Sequence, residues 1–303
     1  MKTAPVALFV YNRPDHAKKA LEALNNCDGA QDTLLIIFSD GPKSDADKIL
    51  TNKVQTLVSD FDFKGKKEII RQEKNKGLSA SISDGLDECL DKFGKVIVME
   101  DDLVCHPAFL KYSNAALERY KHEEKVMQTC GFMFPHRNKW PEYFLSPSVF
   151  CWGWSTWSRA WKQMNRNAQQ LHDIITERKL EEKFDMNGAY PYFHLLKHTL
   201  AGKSDSWAIR WYASVFLNKG LSLYPSSSYI INEGMEGSGA HYNSAAMYPR
   251  MKLRGKGNNE YKFPETIDLN PEIQRGLEKS LKRFYNPSIT DRFGMKLTRI
   301  FGS

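Results

Sequence analysis

Apolar runs are short throughout this 303-residue sequence: the longest, such as residues 34–38, fall far below the roughly 18 residues that suggest a membrane span. A transmembrane helix is excluded on that ground. The opening MKTAPVALFVYNRP carries a lysine and an apolar stretch, but Asn12-Arg13-Pro14 ends it without a small-residue cleavage site. It reads as a first strand, not a signal peptide. No Cys-x-x-Cys pair occurs among Cys27, Cys89, Cys105, Cys130 and Cys151, an odd number at wide spacings. This excludes a zinc or dithiol redox centre of the usual spacing and fits a reducing cytoplasm. Internal repeats, low-complexity tracts and nucleic-acid recognition motifs are also lacking, so no nucleic-acid partner is expected. His194 and His198 stand four apart without the glutamate of a His-Glu-x-x-His site and are read as ordinary helix residues.

What is present is an ordinary globular composition, 41% hydrophobic and 26% charged, with a formal charge of +7. Seven Lys or Arg against two acids fall in residues 273–303, so the excess charge is concentrated in the tail. Apolar runs at 4–11, 33–38, 68–72 and 96–99 predict strands. Helical spacing follows each of the first three, at 17–24, 45–60 and 79–92, and helix is expected again at 108–120. Alternating strands and helices predict an α/β fold with a mostly parallel central sheet flanked by helices, whose ligands sit at the carboxyl ends of the strands. That rule brings Tyr11 to Arg13, Asp40 and Glu100-Asp101-Asp102 to one edge.

The three acids after the fourth strand are the strongest local signal, because adjacent carboxylates need water, donors or a hard cation such as Mg2+ or Mn2+. Tyr11 offers a ring to a base, Asp40 an acceptor for a base N–H or ribose hydroxyl, and Asn75-Lys76-Gly77 an amide, a cation and free backbone before a helix N-terminus. These motifs together, with the opening Pro5-Val-Ala-Leu-Phe-Val-Tyr-Asn-Arg-Pro, Phe38-Ser-Asp-Gly and Val98-Met-Glu-Asp-Asp-Leu, resemble nucleotide-sugar glycosyltransferases of the GT-A fold, bacterial family 2 in particular. The acidic triplet is similar to the DxD-like element written Glu-Asp-Asp in the N-acetylglucosaminyltransferase I branch, although Glu replaces the first Asp. The resemblance implies Asp102 as the metal ligand, with Glu100 and Asp101 on the donor.

Four tryptophans crowd Cys151-Trp-Gly-Trp-Ser-Thr-Trp-Ser-Arg-Ala-Trp. Trp157 and Trp161, four apart, are read as the buried face of a helix beginning near residue 155, and Trp152 and Trp154 as acceptor-binding candidates. An inverting transfer needs a carboxylate to take the acceptor's proton, and related enzymes place it before a Trp-rich helix. This selects Asp205, with Ser204 or Asp205 as a mere helix cap the alternative; Arg210 is expected to bind the donor diphosphate or support the acid. The Gly-rich segment from Asn232 ends in His241, which the resemblance offers as a second metal ligand. The domain expectation is a GT-A domain over 1–245, with a nucleotide-binding half (1–103) and an acceptor half (104–245). A basic amphipathic extension (246–303) that could reach an anionic membrane surface follows it. The implied partners are a nucleotide-sugar donor, UDP-sugar first, and a glycan or lipid-linked glycan acceptor, with the protein at the cytoplasmic face of the membrane. Two rivals stand beside this: a nucleotidyltransferase, which would carry a Gly-rich basic loop where Tyr11-Asn-Arg-Pro stands, and a glycan-binding module without turnover.

Overall fold

Strands β1 (Val6–Val10), β2 (Leu34–Ser39) and β4 (Lys95–Glu100) are almost wholly buried, as expected of apolar strands covered on both faces. The computed structural model describes residues 3–236, 251–255 and 260–285. Helix α1 (Pro14–Asn25) opens with proline in its first turn, where the missing N–H is harmless, and buries Ala17, Ala20, Leu21 and Leu24. Helix α2 is Asp45–Asp60, and β3 (Lys66–Arg71) is a half-exposed edge strand. Helix α3 (Leu78–Phe93) stops at Gly94 in the left-handed conformation, the usual way a helix ends before a tight reversal into a strand. The predicted alternation of strand and helix is therefore present.

After β4 the chain adds β5 (Leu103–Cys105), α4 (Phe109–Arg119), β6 (Val126–Cys130), β7 (Tyr143–Ser146), β8 (Trp154–Trp157), α5 (Ser158–Trp161) and α6 (Ala168–Glu177). Then come α7 (Glu181–Phe184), α8 (Tyr192–Leu200), α9 (Trp207–Leu217), β9 (Leu221–Pro225) and β10 (Ile230–Asn232). Among the described residues the main sheet has eight strands in the order β3-β2-β1-β4-β8-β6-β9-β7, with β8 and β7 running against the rest. Strands β5 and β10 form a separate antiparallel pair. The chain winds outward from β1 to β2 and β3, then returns to lay β4 on the other side of β1. The crevice at that reversal is where open α/β sheets bind ligands.

One expectation is corrected here. Residues 154–157 are a strand, not a helical turn, because Trp154 to Trp157 pair with β4 on one side and β6 on the other. The helical C-terminal tail expected from the sequence is present and packed. Helix α10 (Pro271–Tyr285) buries Ile273, Leu277, Leu281 and Phe284, and Gln274 donates to the Leu145 carbonyl of the edge strand β7 at 3.1 Å. Arg254 pairs with Glu142 at 2.7 Å, and Tyr120 donates to the Pro264 carbonyl.

Candidate functional site

The carboxyl ends of β1, β2 and β4 lie side by side, with Phe9 in register with both Phe38 and Glu100. The next residues of each strand therefore meet. The Tyr11 N–H donates to Asp101 Oδ2 at 3.3 Å, joining the β1 end to the acidic triplet. Tyr11 is held by its hydroxyl, which accepts from the Lys43 N–H and is hydrogen-bonded to Asp47 at the start of α2. Its ring thus stands at the crevice as a fixed wall. Asp47 is a member of this corner that the sequence reading missed; it also receives Asn12 Nδ2 at 3.2 Å.

Asp40 is 5% exposed and accepts from the Gly41 and Lys76 N–H groups on Oδ1 and from Asn75 Nδ2 and the Gly77 N–H on Oδ2. Four donors match the four acceptor positions of a carboxylate, so a base N–H would have to share an oxygen already in use. Asp40 consequently pins the Asn75-Lys76-Gly77 loop beside the β2 end. Gly77 has φ +80°, a conformation that side chains resist, and it delivers the chain into α3. Lys76 reaches Asp84 at 3.1 Å, one turn and more into that helix.

Glu100, Asp101 and Asp102 are each partly enclosed, and burial is the largest influence on all three. Burial, then the charges of Asp102 and Asp101, hold the Glu100 carboxyl well above the ordinary range. Burial and Asp102 push Asp101 up to about 7, with Arg13 opposing. Asp102 is also raised by burial, against Arg13 and His16. Arg13 Nη1 lies 3.4 Å from Asp102 Oδ2. His16 follows Arg13 by three residues in the first turn of α1, a spacing that puts both on one face and that the sequence could have revealed. Among the described residues no three His, Cys, Asp or Glu side chains converge into a ready metal site. The donor set is nevertheless of the right chemistry: hard oxygens, buried, with less positive charge beside them than they need. A hard cation such as Mg2+ commonly takes only one or two carboxylates from the protein and completes its shell with phosphate and water. Asp102 would be the direct protein ligand. His241 lies outside the described residues.

Asp205 lies two residues before α9. Ser206 caps α9 by accepting from the Ile209 N–H, so neither Ser204 nor Asp205 is the cap. Asp205 is 69% exposed and receives Arg210 Nη2 at 2.6 Å, while Arg210 Nη1 donates to Ser79 Oγ in the first turn of α3. The ion pair ties the acid, through Arg210, to the helix that follows the Asn75 loop. Trp211 Nε1 donates to buried Gln128 at 2.7 Å, which locks α9 onto β6.

The two acceptor candidates separate. Trp154 is 1% exposed and stacks on Trp207 at 5.6 Å, with Trp161 and Trp211 on its other sides. Its faces are taken up by indoles and cannot stack on a sugar, which corrects that expectation. Trp152 is half-buried and edge-on to Phe132 at 4.5 Å. Trp157 and Trp161 are core residues as expected, their indoles bonded to the Leu117 carbonyl and to Asp87.

Among solved structures the chain is similar to S. aureus TarS, with 13% identity and a TM-score of 0.41 over 75% of this chain and 36% of that one. It is also similar to S. aureus TarS 1-349, with 11% identity and a TM-score of 0.40 over 97% of this chain and 75% of that one. UDP-glucose pyrophosphorylase complexed with UDP-glucose gives 10% identity and a TM-score of 0.35 over 76% and 94%. No curated protein matches. Residues 6–192 match the family model described as Glycosyl transferase family 2, which spans more than half of the chain. The protein therefore belongs to glycosyl transferase family 2 and is a glycosyltransferase with the GT-A fold.

Proposed function

We propose that this glycosyltransferase is metal-dependent and inverting, and moves a sugar from a nucleoside diphosphate donor, UDP-sugar first, to a glycan or lipid-linked glycan in surface polysaccharide assembly. The observation that carries the reading is the acidic strand end at the β1/β4 crevice, where burial raises three consecutive carboxyls beside Arg13. A bound Mg2+ or Mn2+ would supply charge neutralisation to a leaving diphosphate. Tyr11 provides a wall for the base, and the Asn75-Lys76-Gly77 loop faces the same crevice. Arg13 holds Asp102 in place.

Asp205 acts as general base: it takes the proton of the acceptor hydroxyl as that oxygen bonds to the anomeric carbon and the bond to the diphosphate breaks. Arg210 holds the carboxylate in place through their 2.6 Å ion pair. Trp152 is the remaining aromatic candidate for the acceptor. The exposed Arg275, Lys279, Lys282 and Arg283 on α10 offer charge to an anionic membrane, without apolar insertion by that helix.

Release of nucleoside diphosphate from UDP-sugars with Mn2+, with and without glycan acceptors, tests the reading. Turnover should stop with EDTA. Asp205→Asn should keep donor binding while transfer falls by about 10²–10⁴-fold. Metal-independent turnover would overturn the cation's role, and undiminished transfer would remove Asp205 as base.

A further inference from the structure

Asn232 closes strand β10 and is 5% exposed, yet its Oδ1 has no hydrogen-bond partner among the described residues. Leaving a buried carbonyl unpaired is destabilising, and an aliphatic side chain at a strand end would avoid that penalty. The position of this oxygen gives it a purpose. Strand β10 pairs antiparallel with β5, bringing Asn232 opposite Leu103, directly after Asp102. The ladder continues through the Glu233 N–H, which donates to the Asp102 carbonyl at 2.8 Å.

Gly234 shows how close the two side chains come. A Cβ there would collide with Asp102 Oδ2 and would lie 3.1 Å from Asn232 Oδ1. Both oxygens therefore converge on the space that the missing side chain leaves open. Arg13 Nη1 meets Asp102 Oδ2 at 3.4 Å, so Asn232 Oδ1 is the oxygen of the two that has no donor or positive partner among the described residues.

We propose that Asn232 Oδ1 is a direct oxygen ligand of the divalent cation that Asp102 holds, with Gly234 kept small so that both reach it. The inference rests on the metal-dependent reading above. A neutral amide oxygen beside one carboxylate gives the cation a second hard ligand without adding negative charge to a strand end that already carries three acids.

The test is Mn2+ binding to the full chain in the presence of UDP, read from the electron paramagnetic resonance signal of free Mn2+, with circular dichroism confirming that each variant is folded. Asn232→Ala should weaken Mn2+ binding by about 10-fold or more, on the scale known for metal-site partners. Asn232→Asp, the isosteric variant, should bind Mn2+ at least as tightly as wild type, because it replaces one oxygen ligand by another. Unchanged affinity in Asn232→Ala overturns the assignment. Equal weakening in both variants also overturns it, since that is the pattern of an amide that only donates to Asp102. A wild-type chain that binds no Mn2+ under these conditions overturns the metal-dependent reading along with it, and so separates the two failures.

Discussion

Asp101 shows how an acidic cluster at a strand end governs the pH response of the empty protein. Its carboxyl is raised from the ordinary value near 3.8 to about 7, first by burial and then by Asp102. The folded state therefore holds a proton that the unfolded chain has released between those values, and the stability tied to it is lost as pH climbs toward and through 7. Asp101→Asn keeps an oxygen for the Tyr11 N–H and removes the titration. In EDTA its advantage in Tm over wild type should be smallest near pH 4 and grow to about 2–4 °C by pH 8. A difference independent of pH would show that Asp101 is not held protonated. Arg13, Glu100, Asp101 and Asp102 were legible as a group because strand ends and acids are both visible in sequence. Asp40 was legible as a residue of this edge, but its use inside the chain was not. That use depends on the Asn75 loop folding back over it, which no local pattern announces.

Among the elements, the strands of the first half were readable because a buried parallel strand is an uninterrupted apolar run between turn residues. Strand β8 was not. Its tryptophans at 157 and 161 satisfy a helical period as well as they satisfy a strand followed by a helical turn, and only pairing with β4 and β6 decides. Asn232 was hidden for a related reason, since its place beside Asp102 is made by the long-range β5–β10 pairing. Helix α10 was seen correctly as amphipathic, but periodicity does not say what covers an apolar face. The face is covered by the protein, with Leu277 fully buried. Leu277→Ala should cost about 2–5 kcal/mol in urea unfolding. An unchanged midpoint would contradict the packed position of α10 and return its apolar face to membrane contact.

For the molecule as a whole, the sheet order gathers the carboxyl ends of β1, β2 and β4, and Arg210 links Asp205 to Ser79 at the start of α3. No helix among the described residues is long and apolar enough to cross a membrane. Binding linkage offers the most direct test of the central claim, because a ligand that binds only the folded state raises Tm by mass action. Thermal unfolding should be followed with UDP alone, Mn2+ alone, and both together, with other nucleoside diphosphates as comparison. The account predicts that UDP and Mn2+ together raise Tm by more than the sum of their separate effects, and that EDTA abolishes the difference. A protein stabilised by no nucleoside diphosphate in a metal-dependent way would contradict it.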